Sequence, residues 1–457
     1  MRLGKILLLA LGLCGLASSS KSLTVTSEYQ VGFSSVDFNL PEGAPLGGFG
    51  TGFRRAKKIN LKSKKNHTFF APNQGTLDPV RAKAFVVKRG NEKLLFLSLD
   101  VVGVSDEIGR ELKKPLKKLG FKPENVFISA THTHSGPGGL TRSLFFGLVA
   151  MDTFQKRVFK SFIQSVEEAV VKADAAVEPA EIIFSKFDVP GISRSRRRRP
   201  VDPAARVFWA KSLVSGQWLG AAVHYAIHGI ALDDDNLKFS ADVPGGIERG
   251  IAQELEDRNQ AIAAATGSQV VVKPLTQMWN GAEGDVSPQF FGTDGITEIQ
   301  DRFRKAAAAW VGVGQTMKGS WNVRRFMNEM GSPGLTLRTC FKDWFGGKEQ
   351  KWLPKTLALA LDLFFRDEVD LGWIEWDGLQ MMTWPGEPTH GLGERLRDLA
   401  LKKKPNLSDA WVLGLTNGHF AYFVTPEEHV EGGYEACFSL WGKFGGSSVI
   451  AGYRSSF

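Results

Sequence analysis

Two histidines lie in a glycine-rich segment that follows a short apolar run. His132 and His134 belong to residues 131–139 (THTHSGPGG), and the apolar run 126–130 precedes them. On an extended backbone, residues two apart point their side chains to the same side. The pair could therefore bind one metal ion together, or one imidazole could bind the metal while the other donates a hydrogen bond to a substrate. Two structural histidines near a turn are the alternative.

A second pair, His224 and His228, lies at the end of the apolar run 219–223. Side chains four residues apart share a face of a helix, and they share a face of a strand as well. Either histidine could instead be a buried neutral group bonded to the backbone. Downstream, Asp242 is a candidate to orient a metal-bound imidazole, whereas the acidic run 233–235 is typical of a solvated loop.

Ser287 lies in a tight turn over residues 280–288, next to a carboxylate. A serine at such a bend could be a nucleophile, a hydroxyl that positions the substrate, or a turn cap. Because two residues separate Gly284 from Ser287, the G-x-S-x-G elbow of an α/β-hydrolase is absent. The spacing therefore disfavours a serine hydrolase.

Glu387 lies between Pro385 and Pro388, which hold the backbone stiffly. An unpaired carboxylate in such a setting would be costly, and a divalent cation would remove that cost. Pairing with Arg395 or Arg397 is the alternative. The residue is thus a candidate metal ligand.

The usual sequence signatures of zinc proteases, zinc ribbons and nucleotide-binding loops are absent. Two histidines and one glutamate from separated segments would still form a catalytic zinc site with an open position for water. Zinc lowers the pKa of such a water to about 7, which makes hydroxide available at neutral pH.

Several apolar runs are continuous rather than alternating, which is typical of strands buried on both faces. These runs are residues 94–99, 126–128, 219–223 and 379–383. Helical patterns lie between them, at about residues 105–119, 153–171, 246–258, 297–308 and 394–402. We therefore expect an α/β fold, with α+β as the alternative: a single large domain over residues 24–457, with a mixed buried sheet flanked by helices. Because the polar clusters follow the strands, the active site should lie on loops at strand ends.

The N-terminus has the layout of a secretory signal peptide, with basic residues, an apolar run over 6–16 and small residues after it. We predict that residues 1–20 are removed and that the protein is exported. The run is shorter than the roughly 20 residues that span a bilayer, which disfavours a retained membrane helix. A lipid anchor at Cys14 is also less favoured. Cys340 and Cys437 could form one bridge in an oxidising compartment.

The net charge of +9 is concentrated in two basic patches, within residues 54–65 and 194–199. An exported protein could meet anionic lipid head groups through such patches, so peripheral contact with an anionic membrane surface is a possible interaction. Neither patch lies in a nucleic-acid-binding motif, and no nucleic-acid partner is expected. A solvated basic face is the alternative.

Taken together, the motifs resemble the catalytic domain of neutral, non-lysosomal ceramidases and occur in that family's order. The matching segments are residues 131–139 (THTHSGPGG), 225–232 (YAIHGIAL), 284–288 (GDVSP), 385–389 (PGEPT) and 422–436 (YFVTPEEHVEGGYEA). Full-length members carry a further immunoglobulin-like C-terminal domain, which we expect this chain to lack.

The resemblance implies one zinc ion per chain with four ligands, namely His132, His228, Glu387 and Tyr434. It further implies that His134 faces the scissile carbonyl or the leaving nitrogen, and that Ser287 is an essential hydroxyl beside the metal. Arg194 would help to bind the substrate. Tyr434 is nominated by the resemblance alone, since the residue pattern around it indicates a packed core tyrosine.

The activity implied is zinc-dependent hydrolysis of the amide bond of an N-acylated lipid, with ceramide as the expected substrate. One alternative is a zinc hydrolase that acts on other N-acyl amides or esters. Another is a non-catalytic envelope protein that binds anionic lipids through its basic patches. A bound stoichiometric zinc ion would distinguish the enzymes from the binding protein.

Overall fold

A computed structural model of the chain describes residues 28–60, 65–331 and 368–457. The predicted signal peptide, Cys340 and the apolar run 357–365 lie outside the described residues. Within them, no helix combines the length and apolarity that crossing a bilayer requires.

The described strands include nine that form a central mixed sheet. In spatial order these are β4 (Val126–Ala130), β3 (Glu92–Leu99), β2 (Arg81–Arg89), β1 (Gln30–Asp37), β5 (Glu178–Asp188), β7 (Ala204–Ser212), β8 (Trp218–Tyr225) and β9 (Leu275–Asn280), with β11 (Gln315–Thr316) beside β5. The pairs β3–β4 and β8–β9 are parallel, and the other pairs are antiparallel. The carboxyl ends of β4 and β9 meet, because Asn280 Nδ2 donates to the Thr131 carbonyl at 3.1 Å.

A second sheet of four described strands packs face to face against the first. Its spatial order is β12 (Trp321–Glu329), β13 (Glu368–Trp376), β14 (Leu379–Thr383) and β16 (Asp409–Leu413). Large aromatic side chains from both sheets, such as Phe96, Trp279 and Trp376, fill the space between them. Two short ladders complete the described strands: β6 (Ser193–Ser195) with β10 (Val286–Pro288), and β15 (Glu387–Pro388) with β17 (Tyr422–Phe423).

Helices cover the outer faces of both sheets, so the described part of the chain forms helix, sheet, sheet and helix layers. The central sheet is covered by α1 (Asp106–Lys118), α3 (Lys156–Ala175), α4 (Asp242–Thr266) and α5 (Gly292–Ala308), and the second sheet by α6 (His390–Lys403) and α9 (Gly445–Ser456). The shorter helices are α2 (Leu144–Phe146), α7 (Pro426–Glu431) and α8 (Tyr434–Cys437).

The predicted α/β class, with a mixed sheet and flanking helices, is confirmed. The predicted strand 379–383 coincides with β14, and the predicted helix 105–119 corresponds to α1. The prediction missed the start of α4, which begins at Asp242 rather than near residue 246. Pro244, Gly245 and Gly246 lack the apolar periodicity from which a helix is recognised in sequence, although proline is compatible with the first turn.

Candidate metal centre and active site

The loop after β4 delivers the first imidazole of the site. His132 follows the buried strand, and its backbone has a φ of 67°, a conformation that a non-glycine residue rarely adopts. Its Nδ1 lies 2.6 Å from the Val102 carbonyl oxygen. Because a carbonyl can only accept, Nδ1 carries the proton and Nε2 of the neutral ring has a free lone pair. The ring is thus oriented to offer Nε2 as a ligand atom.

The loop after β8 delivers the second imidazole in the same way. His228 Nδ1 donates to the Glu283 carbonyl oxygen at 2.8 Å, so Nε2 again has a free lone pair. Burial, followed by the charges of Arg196 and His132, lowers the pKa of His228 to about 3. The ring is therefore neutral at physiological pH and suited to bind a cation.

Glu387 places its carboxylate between these imidazoles from the second half of the chain. Its Oε2 lies 3.2 Å from His132 Nε2 and 3.4 Å from His228 Nε2, and its Oε1 lies 3.0 Å from His419 Nε2. Burial disfavours the ionised carboxylate, but the positive charge of a protonated His132, together with hydrogen bonds from the neighbouring imidazoles, holds the pKa of Glu387 well below its usual range. A cation bound between neutral imidazoles would act on the carboxylate in the same direction. The alternative partners contact other groups, since Arg395 pairs with Glu427.

The second alternative partner, Arg397, lies near Asp409 rather than Glu387.

Glu387 Oε2 is buried and receives no hydrogen bond in the described structure, although two unprotonated nitrogens face it. An anionic oxygen and two lone pairs repel one another unless a cation lies between them. A zinc ion with bonds of about 2.0 Å to tetrahedral ligands separates those ligands by roughly 3.3 Å. The observed spacings of 3.2 and 3.4 Å fit such an ion.

Tyr422 brings a phenol within hydrogen-bonding distance of one of these ligand atoms. It pairs with Glu387 in the β15–β17 ladder, and its hydroxyl lies 3.2 Å from His228 Nε2. Tyr434, which the resemblance implied as a ligand, packs its ring against that of Tyr422 at 5.5 Å and is 57% exposed. The structure thus brings His132, His228, Glu387 and Tyr422 together, and we call these four residues the metal cluster.

His134 borders the metal cluster, with its Nε2 3.3 Å from His132 Nε2. Burial and the charges of the other two imidazoles hold the pKa of His134 well below its usual range, so the ring is neutral. Phe49 packs against the ring at 4.8 Å, and the buried Arg54 guanidinium donates to the His134 carbonyl at 2.9 Å. His134 is thereby fixed as a possible ligand or as a donor to substrate.

Ser287 lies in β10, where it pairs with Arg194 of β6. The side chain of Arg194 is exposed and lies 5.6 Å from the Phe291 ring. The guanidinium that reaches the serine belongs to Arg196, whose Nε donates to Ser287 Oγ at 2.8 Å. Because Oγ accepts this bond, its own proton is free to donate elsewhere.

Two other candidates lie outside the cluster. His224 Nε2 donates to the Val412 carbonyl at 2.8 Å, which is the buried structural role that the sequence left open. The carboxylate of Asp242 accepts the backbone N–H groups of Ala231, Leu232 and Val243. It therefore fixes the loop after His228 to the start of α4 rather than bonding an imidazole.

Sequence reasoning did not nominate Tyr422, His419 or Arg196. Tyr422 is the first residue of the quoted segment 422–436, so the motif contained it, but no local signal separates its role from that of Tyr434. His419 lies three residues before that segment. Arg196 appeared only as one member of a basic run.

The comparison with protein families bears on all of these residues. Residues 71–306, more than half of the chain, match the model described as neutral/alkaline non-lysosomal ceramidase, N-terminal. The chain belongs to this ceramidase family. The match includes the segments that carry His132, His228 and Ser287.

Individual ceramidases are similar to the chain over different lengths. The neutral ceramidase of Mycobacterium tuberculosis is 25% identical over 445 residues, which cover 80% of this chain and 69% of the relative. Neutral ceramidase A of Dictyostelium discoideum is 25% identical over 235 residues, which cover 46% of this chain and 31% of the relative. The chain therefore spans less than a third of the Dictyostelium protein.

Among solved structures, the neutral ceramidase of Pseudomonas aeruginosa superposes with a TM-score of 0.74 at 18% sequence identity. The superposition covers 94% of this chain and 74% of that one. A second solved structure, a ceramidase complexed with C2, gives a TM-score of 0.72. This likeness shows that the two-sheet architecture is shared.

Proposed function

We propose that the chain hydrolyses the amide bond of an N-acylated lipid, releasing a fatty acid and an amine, with one zinc ion per chain. Ceramide, which would yield sphingosine, is the proposed substrate. The observation that carries the proposal is the convergence of buried nitrogen and oxygen atoms from His132, His228, Glu387 and Tyr422 on one position. Family membership supports the amide chemistry.

The metal cluster fits a divalent cation because Nε2 of His132 and of His228 is unprotonated and the Glu387 carboxylate supplies negative charge. When bound, zinc would supply a Lewis acid for the acyl oxygen and make hydroxide available from water at neutral pH. The backbone carbonyls of Val102 and Glu283 hold the imidazoles in the tautomer that leaves Nε2 free.

Ser287 and His134 border the cluster and can act on the substrate. The Ser287 hydroxyl accepts from Arg196 and keeps its proton for an oxygen of the substrate or for the attacking water. No imidazole of the described residues bonds Ser287, which argues against a nucleophilic serine. Neutral His134 can donate from one ring nitrogen to the scissile carbonyl or the leaving nitrogen.

The proposed substrate follows from the family and from its members, such as the neutral ceramidase of M. tuberculosis. We also propose that residues 1–20 direct export, because their basic, apolar and small segments follow one another in the order of a signal peptide. Export would bring the enzyme to lipids outside the cytoplasm.

The test is to measure bound zinc and ceramide hydrolysis in purified wild-type protein and in His228→Ala and Glu387→Gln variants. We expect one zinc per wild-type chain and loss of both zinc and activity in each variant, because each substitution removes a ligand atom. His224→Gln is the matched control, since this histidine lies four residues from His228 and bonds the Val412 carbonyl instead of the metal cluster.

Full activity in a zinc-free His228→Ala protein would contradict the proposed chemistry. Comparison of ceramide with short N-acyl amino acids tests the substrate. If the protein hydrolyses the amino-acid derivatives but not ceramide, it is a general N-acyl amide hydrolase rather than a lipid amidase. If it binds zinc but hydrolyses neither class of substrate, the proposal that it is an enzyme is contradicted.

A further inference from the structure

Two surface segments contact His134 and His419, which border the metal cluster, and also carry exposed apolar side chains. The first, residues 49–60, we call the front loop; the second, residues 142–149, we call the cover segment. Arg55 of the front loop bonds the Leu148 carbonyl of the cover segment. The two segments therefore form one continuous surface.

The inner side of this surface contacts the site directly. Phe49 of the front loop packs on His134 at 4.8 Å, and Phe146 of the cover segment packs on His419 at 5.1 Å. Arg54 anchors the front loop to the His134 carbonyl. Anything that binds the outer side thus lies next to the reacting groups.

The outer side exposes large apolar side chains. Phe53 is 68% exposed, Leu144 49% and Leu148 37%. We call these three side chains the apolar rim. Clustered apolar side chains beside a binding site mark a surface that meets a protein or a membrane.

The two segments that carry the apolar rim are themselves positively charged. The front loop and the cover segment contain no aspartate or glutamate, and Lys57, Lys58 and Arg142 are exposed. Acidic residues 233–235 adjoin the surface near Gly52, and Arg54 bonds the Asp234 carbonyl there. Exposed cations beside apolar side chains complement anionic head groups above an acyl layer.

The second basic patch differs in this respect. Arg197 pairs with Glu435, and Arg199 pairs with Glu428 and Glu431. These internal pairs neutralise Arg197 and Arg199, so the charge that this patch offers to a lipid surface is reduced chiefly to that of Arg194 and Arg198. The front loop is the better candidate for lipid contact.

We infer that the apolar rim, with Lys57 and Lys58, docks the protein on a bilayer that contains anionic phospholipid. Docking there brings the acyl chains of the membrane next to Phe49 and Phe146, which contact His134 and His419. This inference rests on the proposed lipid substrate for its purpose, but the contact itself can be measured without any hydrolysis.

The experiment is co-sedimentation of full-length protein with vesicles of phosphatidylcholine, with and without phosphatidylglycerol. We expect binding to the mixed vesicles, and a loss of about tenfold in the Phe53→Ser/Leu148→Ser variant, because each substitution removes apolar area from the contact. Lys57→Gln/Lys58→Gln should reduce the gain that phosphatidylglycerol provides.

Val214→Ser/Val270→Ser is the matched control. Both valines are as exposed as Phe53. They lie near each other, because Gln217, three residues after Val214, donates to the Val270 carbonyl. This region is at the start of β8, whereas His228 follows the end of that strand. This variant should bind vesicles like the wild type. Each variant is also assayed for zinc and for hydrolysis of a water-soluble short-acyl amide, and both should be unchanged.

Three outcomes would overturn the inference. The wild type does not bind vesicles, or the rim and control variants lose vesicle binding equally, or the wild type is a dimer in solution that dissociates in the Phe53→Ser/Leu148→Ser variant. The last would assign the surface to a second copy of the chain. Rim-dependent vesicle binding without hydrolysis of any amide would support docking and contradict the proposed function. Hydrolysis of the amide without rim-dependent vesicle binding would support the proposed function and contradict docking.

Discussion

The two oxygens of the Glu387 carboxylate have different neighbours. Oε1 lies 3.0 Å from His419 Nε2, whereas Oε2 faces the unprotonated nitrogens of His132 and His228. A hydrogen bond from His419 would hold Oε1 and leave Oε2 for a cation. His419 is therefore placed to orient a ligand from outside the metal cluster, a role that commonly raises metal affinity.

Two tyrosines, Tyr422 and Tyr434, provide a test at the scale of single residues. Tyr422→Phe removes the hydroxyl 3.2 Å from His228 Nε2, so we expect zinc affinity to fall by at least about tenfold. Tyr434 contacts the metal cluster through the Tyr422 ring, and this contact survives in Tyr434→Phe, so we expect a much smaller change in zinc affinity. Competition for zinc with a chelator measures both. Equal zinc loss in the two variants would refute the assignment of Tyr422.

At the scale of elements, the arginine run after β6 fastens the segment that carries the tyrosines. Arg196 bonds Ser287, and Arg197 contacts the Gly432 carbonyl at 2.9 Å and Glu435 at 3.0 Å. These contacts join the β6–β10 ladder to α7 and α8. What the sequence shows as a basic patch is, in the fold, largely a structural connection.

Breaking one buried pair of this connection should be costly. Arg197→Met leaves the buried Glu435 with Arg196 at 3.5 Å as its remaining cation, so we expect a loss of up to about 3 kcal/mol in the free energy of unfolding, the low end for breaking a buried pair. The double variant Arg197→Met/Glu435→Gln should recover part of the loss, because no unpaired charge remains. Urea denaturation of the wild type, both single variants and the double variant measures the coupling. Additive losses would show that the pair is not coupled.

At the scale of the whole molecule, the metal cluster lies where the two sheets meet. His132 and His228 follow strands of the central sheet, whereas Glu387 and Tyr422 belong to the short ladder that follows the second sheet. His224 of β8 joins the same sheets through its bond to Val412 of β16. The site therefore requires the sheets to be packed correctly on each other.

The contact between the two sheets at His224 should make the stability of the fold sensitive to acid. Burial, followed by the charge of Arg206, lowers the pKa of His224 to about 3. Between this value and the usual 6.5, the unfolded chain binds a proton that the folded chain does not. The contribution of His224 to stability is thus complete above about pH 6.5 and decreases as the pH falls toward 3, by about 1.4 kcal/mol per pH unit.

Denaturation curves from pH 8 to pH 4 check this expectation. His224→Gln keeps a donor for the Val412 carbonyl but does not titrate. Its stability should therefore decline less steeply than that of the wild type below pH 6, by about the slope of one proton, while the two curves run parallel above pH 7. Identical slopes over the whole range would show that His224 does not remain neutral in the fold.

The sequence alone determined the features that depend on local order along the chain. Continuous apolar runs indicated the buried strands β3 and β14, and helical periodicity indicated α1 and α3, because side-chain direction repeats with each element's geometry. The motifs likewise indicated the family, and their positions after strands indicated which loops carry the polar groups.

Tertiary structure alone decided which of several similar side chains reach the site. Three pairs of one residue type lie within twelve residues of each other in the sequence: Tyr422 and Tyr434, Arg194 and Arg196, and His224 and His228. Whether a side chain reaches the site depends on distances to groups as far away in sequence as His132 and Glu387, which the packing of two sheets sets. Local propensity contains no information on those distances, so residue type and spacing could not choose between the members of each pair.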